Sequence, residues 1–275
     1  MKHTVATLQA AKARGERFAM VTCYDYTTAR IVEDAGIETV LVGDSLGNVM
    51  LGYENTLRVT MEDMIHHSQA VSRGLKDALL VVDMPFMSYQ ASCEDAVRNA
   101  GRLVQEGFAE VVKLEGGVKV ADRIAAIVDA GIPVCAHIGM TPQSVNSFGG
   151  FKVQGKNLET AQRFLDDARA VEQAGASMVV FECVPAPLAA RASRMLKIPT
   201  VGIGAGAATD AQVLVCQDLL GMYRDFTPKF VKRFAETGSD MKRAFEEYAR
   251  EVRAGTFPAA EHEYGMAQDV LERLR

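Results

Sequence analysis

Four acids each close a short apolar run. Glu38-Thr-Val-Leu-Val-Gly leads into Asp44 and Ser45, and Ala78-Leu-Leu-Val-Val into Asp83; Glu110-Val-Val-Lys113-Leu ends at Glu115, and Ser177-Met-Val-Val-Phe at Glu182. Polar side chains at such ends have no packing duty. Gathering several carboxylates is unfavourable unless a cation or proton neutralises them. Oxygen donors without a His or Cys cluster suit a hard ion, Mg²⁺ rather than Zn²⁺. Any one of these acids could instead cap a following helix or pair with a surface lysine; recurrence on four runs weighs toward a shared site. Lys113 and Glu115 are two apart, so their side chains leave a strand on the same side. Lys113 could hold a substrate carboxylate or an oxyanion, or pair structurally with Glu115. His137 closes a fifth run, as a structural hydrogen-bonder or as a ligand contact on the same rim. Glu182 has apolar neighbours and nearby acids, which raise a carboxyl pKa toward that of a general base.

The runs that carry these groups are short, β-branched and bounded by turn residues, and they read as strands. Strand one spans 18–25, strand two ends at Asp44, strand three at Asp83, and strand four spans 109–115. Strand five spans 132–137, strand six ends at Glu182, and strands seven and eight span 198–203 and 213–218. Helical segments alternate with them, and a glycine that can take the left-handed conformation closes one helix after another, at Gly36, Gly107, Gly131 and Gly175. Thr60 with Asp63, and Ser92, read as helix starts. The stretch after Asp44 that holds Gly47, Gly52 and Tyr53 reads as a loop, as does 139–155. Repeated helix-strand units demand parallel strands with crossover helices. Eight strands fit a closed α/β barrel, the (β/α)8 TIM barrel, better than an open doubly wound sheet, which stays the alternative because closure is not written in local sequence. In a barrel the carboxyl ends of the strands share one face, where chemistry is done. Residues 1–17 form a helical preface and about 227–275 a helical extension to a single domain.

Bulk properties narrow the function classes. The chain has 275 residues, 48% apolar and 24% charged, ordinary for a globular protein. A net charge of -5 and a pI near 5.6 argue against nucleic acid or an anionic membrane as partner. The five cysteines are odd in number and form no C-x-x-C pair, so they read as reduced. No signal-peptide core or apolar run of ~18 residues is present, so a cytoplasmic protein is expected. Gly202-x-Gly204-x-Gly206 matches neither G-x-G-x-x-G nor the P-loop and reads as a tight loop. Neither G-x-S-x-G nor H-E-x-x-H occurs.

Longer motifs go further. Gly43-Asp-Ser-Leu-Gly47, Asp83-Met-Pro-Phe86, Val112-Lys-Leu-Glu-Gly-Gly117, His137-Ile-Gly-Met-Thr-Pro-Gln143, Gly149-Gly-Phe-Lys-Val-Gln-Gly155, Phe181-Glu-Cys-Val-Pro185 and Gly202-Ile-Gly-Ala-Gly206 stand in one order along the chain. As a set they resemble the ketopantoate hydroxymethyltransferase family. The departures, Cys23 for Ala, Met140 for Leu and Ala211 for Gly, touch no candidate site residue, and the match is loose beyond about Tyr223. The resemblance implies a barrel related to the phosphoenolpyruvate mutase and isocitrate lyase group. It implies transfer of a hydroxymethyl group from 5,10-methylenetetrahydrofolate to 3-methyl-2-oxobutanoate, on the way to pantothenate. By matching motifs, Asp44, Asp83 and Glu115 become Mg²⁺ positions. Asp44, Ser45, Asp83 and Lys113 become oxoacid contacts, joined on the rim by His137, and Glu182 the proton acceptor. A large homo-oligomer, commonly a decamer, is also implied. A lyase or mutase of the same superfamily is the alternative enzyme, but the Lys-Lys-Cys-Gly-His loop of that group's lyases is absent. A non-catalytic barrel would not need the full acid set.

Overall fold

Val, Leu and Ile dominate the strand interiors because branched side chains pack well on a pleated surface buried on both faces. In a computed structural model, which describes residues 1–150 and 152–274, these runs form eight parallel strands. They are β1 (Phe18–Thr22), β2 (Thr39–Val42), β3 (Leu79–Asp83), β4 (Val111–Glu115), β5 (Val134–Gly139), β6 (Met178–Glu182), β7 (Thr200–Ile203) and β8 (Ala211–Leu214). Each pairs with the next, and β1 pairs with β8 through Phe18↔Ala211 and Met20↔Val213. That last pairing closes the barrel and removes the open-sheet alternative.

Helices α1 (Val5–Arg14), α2 (Tyr26–Asp34), α3 (Leu46–Val49), α4 (Met61–Ser72), α5 (Cys93–Gln105), α6 (Ala121–Asp129), α7 (Val145–Phe148), α8 (Leu158–Gln173), α9 (Ala186–Met195), α10 (Cys216–Leu219), α11 (Thr237–Ala254) and α12 (Gln268–Leu271) complete the chain. Thr60 and Asp63 form a reciprocal capping box at the start of α4, so Asp serves where Glu or Gln is usual. Ser92 accepts from the Asp95 N–H at the start of α5.

Two expectations need correction. Strand eight is four residues, Ala211–Leu214, and not 213–218; Asp218 lies in α10. The apolar run Val213-Leu-Val-Cys misleads, because pairing begins at Ala211 and the Cys216 N–H is taken by the Thr22 hydroxyl at 2.9 Å, which turns the chain out of the sheet. The loops after Asp44 and at 139–155 hold short helices, α3 and α7, and Phe151 lies outside the described residues.

The core has two layers. Strand residues facing outward, such as Leu80, Val82, Val112, Leu114 and Phe181, pack under the helices. Inward residues, among them Met20, Leu79, Val81, Val111, Cys135, Met178 and Val180, fill the barrel with Leu8 of α1 packed among them. Leu8 is 2% exposed, so α1 plugs the amino-terminal end. Lys12 of α1 pins it there, 2.8 Å from Asp210 Oδ2, which also accepts from the Thr200 N–H. In the extension, α11 has no buried residue. No helix among the described residues is long and apolar enough to cross a membrane.

Candidate active site

Period-two alternation decides what the other end of the barrel presents. On β3, Leu79 and Val81 face inward, so Asp83 does too; on β4 Val111 is followed inward by Lys113 and Glu115. On β5 and β6 the same rule turns His137 and Glu182 inward after Cys135 and Val180. Register then sets neighbours. Asp83 pairs across with Lys113, and Glu115 with His137. The side chains follow: Lys113 Nζ lies 2.7 Å from Asp83 Oδ1, and His137 Nδ1 lies 3.5 Å from Glu115 Oε1 and 3.4 Å from Lys113 Nζ. His137 Nε2 is 3.1 Å from Glu182 Oε2, a close charge contact without well-directed hydrogen-bond geometry.

Asp44 and Ser45 follow β2. A Cβ on Gly43 would stand 2.9 Å from Ser45 Oγ and 3.4 Å from Asp83 Oδ2, so the turn has no room for a larger residue without movement. Its tightness lets the Asp44 N–H donate to Asp83 Oδ2 at 3.0 Å. Ser45 Oγ is 2.8 Å from the Tyr24 hydroxyl. All seven candidates of the sequence reading therefore lie on one face. Asp44, Asp83, Lys113, Glu115 and His137 are buried, and the Glu182 side chain is the most open of the four acids at 14%.

Besides Ser45, two groups in this ring have no charge, and pattern reading passes over them. Gln143 follows β5 in a turn of 3-10 helix and is 6% exposed. Its Nε2 donates to Asp44 Oδ2 at 2.9 Å and to the Met84 carbonyl at 2.9 Å, and its backbone N–H donates to Glu115 Oε2 at 2.9 Å. Tyr89, 1% exposed, donates to Gln143 Oε1 at 2.7 Å and accepts from the Glu115 N–H at 3.1 Å.

Burial drives the electrostatics. It raises the Asp44 pKa well above the carboxylate range, and Asp83 and Glu115 raise it further. Burial raises Asp83 too, with Lys113 opposing. Burial disfavours the Lys113 ammonium, but Asp83, Glu115 and Asp44 prevail and hold its pKa above the usual lysine range. The 2.7 Å Lys113 contact and the Asp44 N–H mark Asp83 as ionised, while among described residues the Asp44 carboxylate accepts only from neutral Gln143. For His137, burial and Lys113 favour the neutral ring, but Glu115 and Glu182 outweigh them and the pKa rises to about 9. Four acids thus share the ring with one ammonium and one imidazolium, and the raised Asp44 pKa keeps a proton there until another positive charge replaces it. With all four ionised the ring would carry two surplus negative charges, which with the hard oxygen donors fits a divalent cation of the Mg²⁺ type. Among the described residues no three His, Cys, Asp or Glu side chains are arranged as a ready metal-holding group. Asp44 and Asp83 adjoin at the turn, whereas Glu115 is drawn toward His137 and Gln143.

A closed parallel barrel is also the fold of a solved member of the phosphoenolpyruvate mutase and isocitrate lyase superfamily. Solved structures agree in fold. A phosphonopyruvate hydrolase complex with oxalate and Mg²⁺ superposes with a TM-score of 0.62 at 13% identity, over 98% of this chain and 94% of that one. A 2,3-dimethylmalate lyase, a member of that superfamily, gives 0.60 at 17% over 99% and 94%. The ketopantoate hydroxymethyltransferase family model matches residues 2–260. Proteins named 3-methyl-2-oxobutanoate hydroxymethyltransferase from Enterococcus faecalis and Clostridium novyi are 60% and 59% identical over the full length of both chains. The chain belongs to the ketopantoate hydroxymethyltransferase family, and it is an enzyme of the transferase class.

Proposed function

We propose that the chain transfers a hydroxymethyl group from 5,10-methylenetetrahydrofolate to 3-methyl-2-oxobutanoate, giving 2-dehydropantoate for pantothenate biosynthesis, with Mg²⁺ as cofactor. One observation carries the reading: three of the acids are held by Lys113, His137 and Gln143, while among the described residues Glu182 meets the ring only through His137. Asp44 and Asp83, with Glu115 behind them, would hold the ion. Bound Mg²⁺ supplies positive charge beside the 2-oxo group and so lowers the cost of forming an anion next to it. Lys113 adds a fixed charge to the same region, together with the Ser45 hydroxyl, and the buried walls keep that field unscreened. Glu182 takes the proton from C3 of the oxoacid, and His137 beside it steadies the base. The carbon freed of its proton bonds to the one-carbon unit as the two C–N bonds tethering that unit to folate break. A water supplies the new hydroxyl, its other proton and the one taken from C3 end on the two folate nitrogens, and tetrahydrofolate leaves. A cytoplasmic setting and a homo-oligomer, a decamer by resemblance to the family, belong to the same proposal, and light scattering tests the assembly.

The test is exchange of the C3 hydrogen of 3-methyl-2-oxobutanoate in deuterated water, with Mg²⁺ and without folate. Exchange is expected, and a chelator is expected to stop it. No exchange above background overturns the reading.

A further inference from the structure

Gln143 uses its whole hydrogen-bonding capacity inside the ring. Its orientation is fixed, because the Met84 carbonyl can only accept: the group 2.9 Å away must be the amide NH₂, and the other amide hydrogen goes to Asp44 Oδ2. Oε1 then faces two donors, the Tyr89 hydroxyl at 2.7 Å and Gln90 Nε2 at 3.0 Å. The backbone N–H of the same residue holds Glu115 Oε2. One neutral residue therefore occupies one oxygen of each of two acids from different parts of the rim, and leaves Asp44 Oδ1 and Glu115 Oε1 outside its hold, the latter 3.5 Å from His137 Nδ1. Tyr89 locks the arrangement from behind by accepting from the Glu115 N–H.

We propose that Gln143, braced by Tyr89, is a positioning residue that selects which oxygens of Asp44 and Glu115 are offered to the divalent ion. The inference rests on the functional reading above and assigns a role to a residue with no ionisable group. A buried carboxylate held by oriented donors needs no reorganisation when a cation arrives, whereas one free to rotate must be ordered at that moment. Leucine at 143 would fill much of the volume but leave Asp44 Oδ2 and the Met84 carbonyl without a donor.

Mn²⁺ serves as the probe, with binding to the metal-stripped protein followed by the electron paramagnetic resonance of the free ion. The unaltered protein is expected to bind one Mn²⁺ per chain. Gln143→Leu is expected to weaken binding tenfold or more, and Gln143→Glu, which sets another acid against Asp44, to weaken it with the oxoacid KM rising more than kcat falls. Tyr89→Phe keeps the ring packing and loses only the brace, and a several-fold weakening is expected; it decides the matter if the position-143 variants do not fold. No Mn²⁺ binding by the unaltered protein overturns the functional reading and this inference together. Full-strength binding by a folded Gln143→Leu protein, or by Tyr89→Phe where the former does not fold, overturns this inference alone.

Discussion

At the scale of single residues, the ring is held in a costly state by burial. Asp44 is the clearest case, because its raised pKa comes first from burial and then from Asp83 and Glu115. Replacing it with Asn removes one of the crowded acids at little change in volume. Asp44→Asn is expected to stabilise the metal-free protein at pH 7 by about 1–3 kcal/mol, several degrees in Tm, while abolishing C3 exchange. A lower Tm in that variant would contradict the electrostatic account. His137 works in the opposite sense. Its folded pKa of about 9 lies above the unfolded 6.5, so its contribution is complete below pH 6.5 and fades as pH rises through 9. That contribution is on the order of 3 kcal/mol. Metal-free protein should lose Tm between those pH values, and His137→Gln should flatten the profile; parallel profiles would assign the loss to other groups. Glu182→Gln should leave oxoacid binding intact and remove C3 exchange, if the proposed role of Glu182 holds. Exchange at the original rate would move the base elsewhere.

At the scale of elements, five of the candidate groups stand at inward positions near the carboxyl end of a strand, and Asp44 and Ser45 lie just beyond one. That is why so much of the site is legible in the sequence: Asp83, Lys113, Glu115, His137 and Glu182 stand at positions where an apolar, alternating run demands a buried side chain and receives a polar one. Gln143 and Tyr89 are hidden for the complementary reason. Each is a neutral side chain on a connection, and nothing in local pattern separates a buried loop amide from an exposed one until the chain is folded. Strand eight is misread because its apolar run continues past the last paired residue, and the bond that ends it, Thr22 to Cys216, joins positions far apart in sequence. Backbone requirements are equally local. Gly139 has a φ of +97°, and a Cβ there would stand 2.4 Å from the Glu182 carbonyl oxygen. Gly139→Ala should therefore destabilise by about 2–4 kcal/mol and displace Glu182. Denaturant melts read the first effect and C3 exchange the second; a variant unchanged in both would mean that β5 and β6 separate at their ends without cost.

At the scale of the whole molecule, packing and chemistry occupy opposite ends of the barrel. Leu8, Lys12 and Asp210 close the amino-terminal end, while the charged ring sits at the carboxyl-terminal end. Leu8→Ala should cost about 2–5 kcal/mol through the cavity it leaves. Effects at well-separated sites add independently, so C3 exchange well below the Tm should stay near its original rate. A matching loss of exchange would show that the two ends are coupled.

The pairing of Asp83 with Lys113 and of Glu115 with His137 follows the hydrogen-bond ladder itself. Spacing among these groups is thus a property of the staves and not of the ropes that tie them. Lengthening or trading a crossover segment away from Gln143 would leave their separations intact. Deleting a single amino acid within β4 would slide its tip by about 3.3 Å and swing Lys113 and Glu115 to the outside. Connector length away from Gln143 can therefore change without moving the ring, whereas strand length cannot change by even one residue.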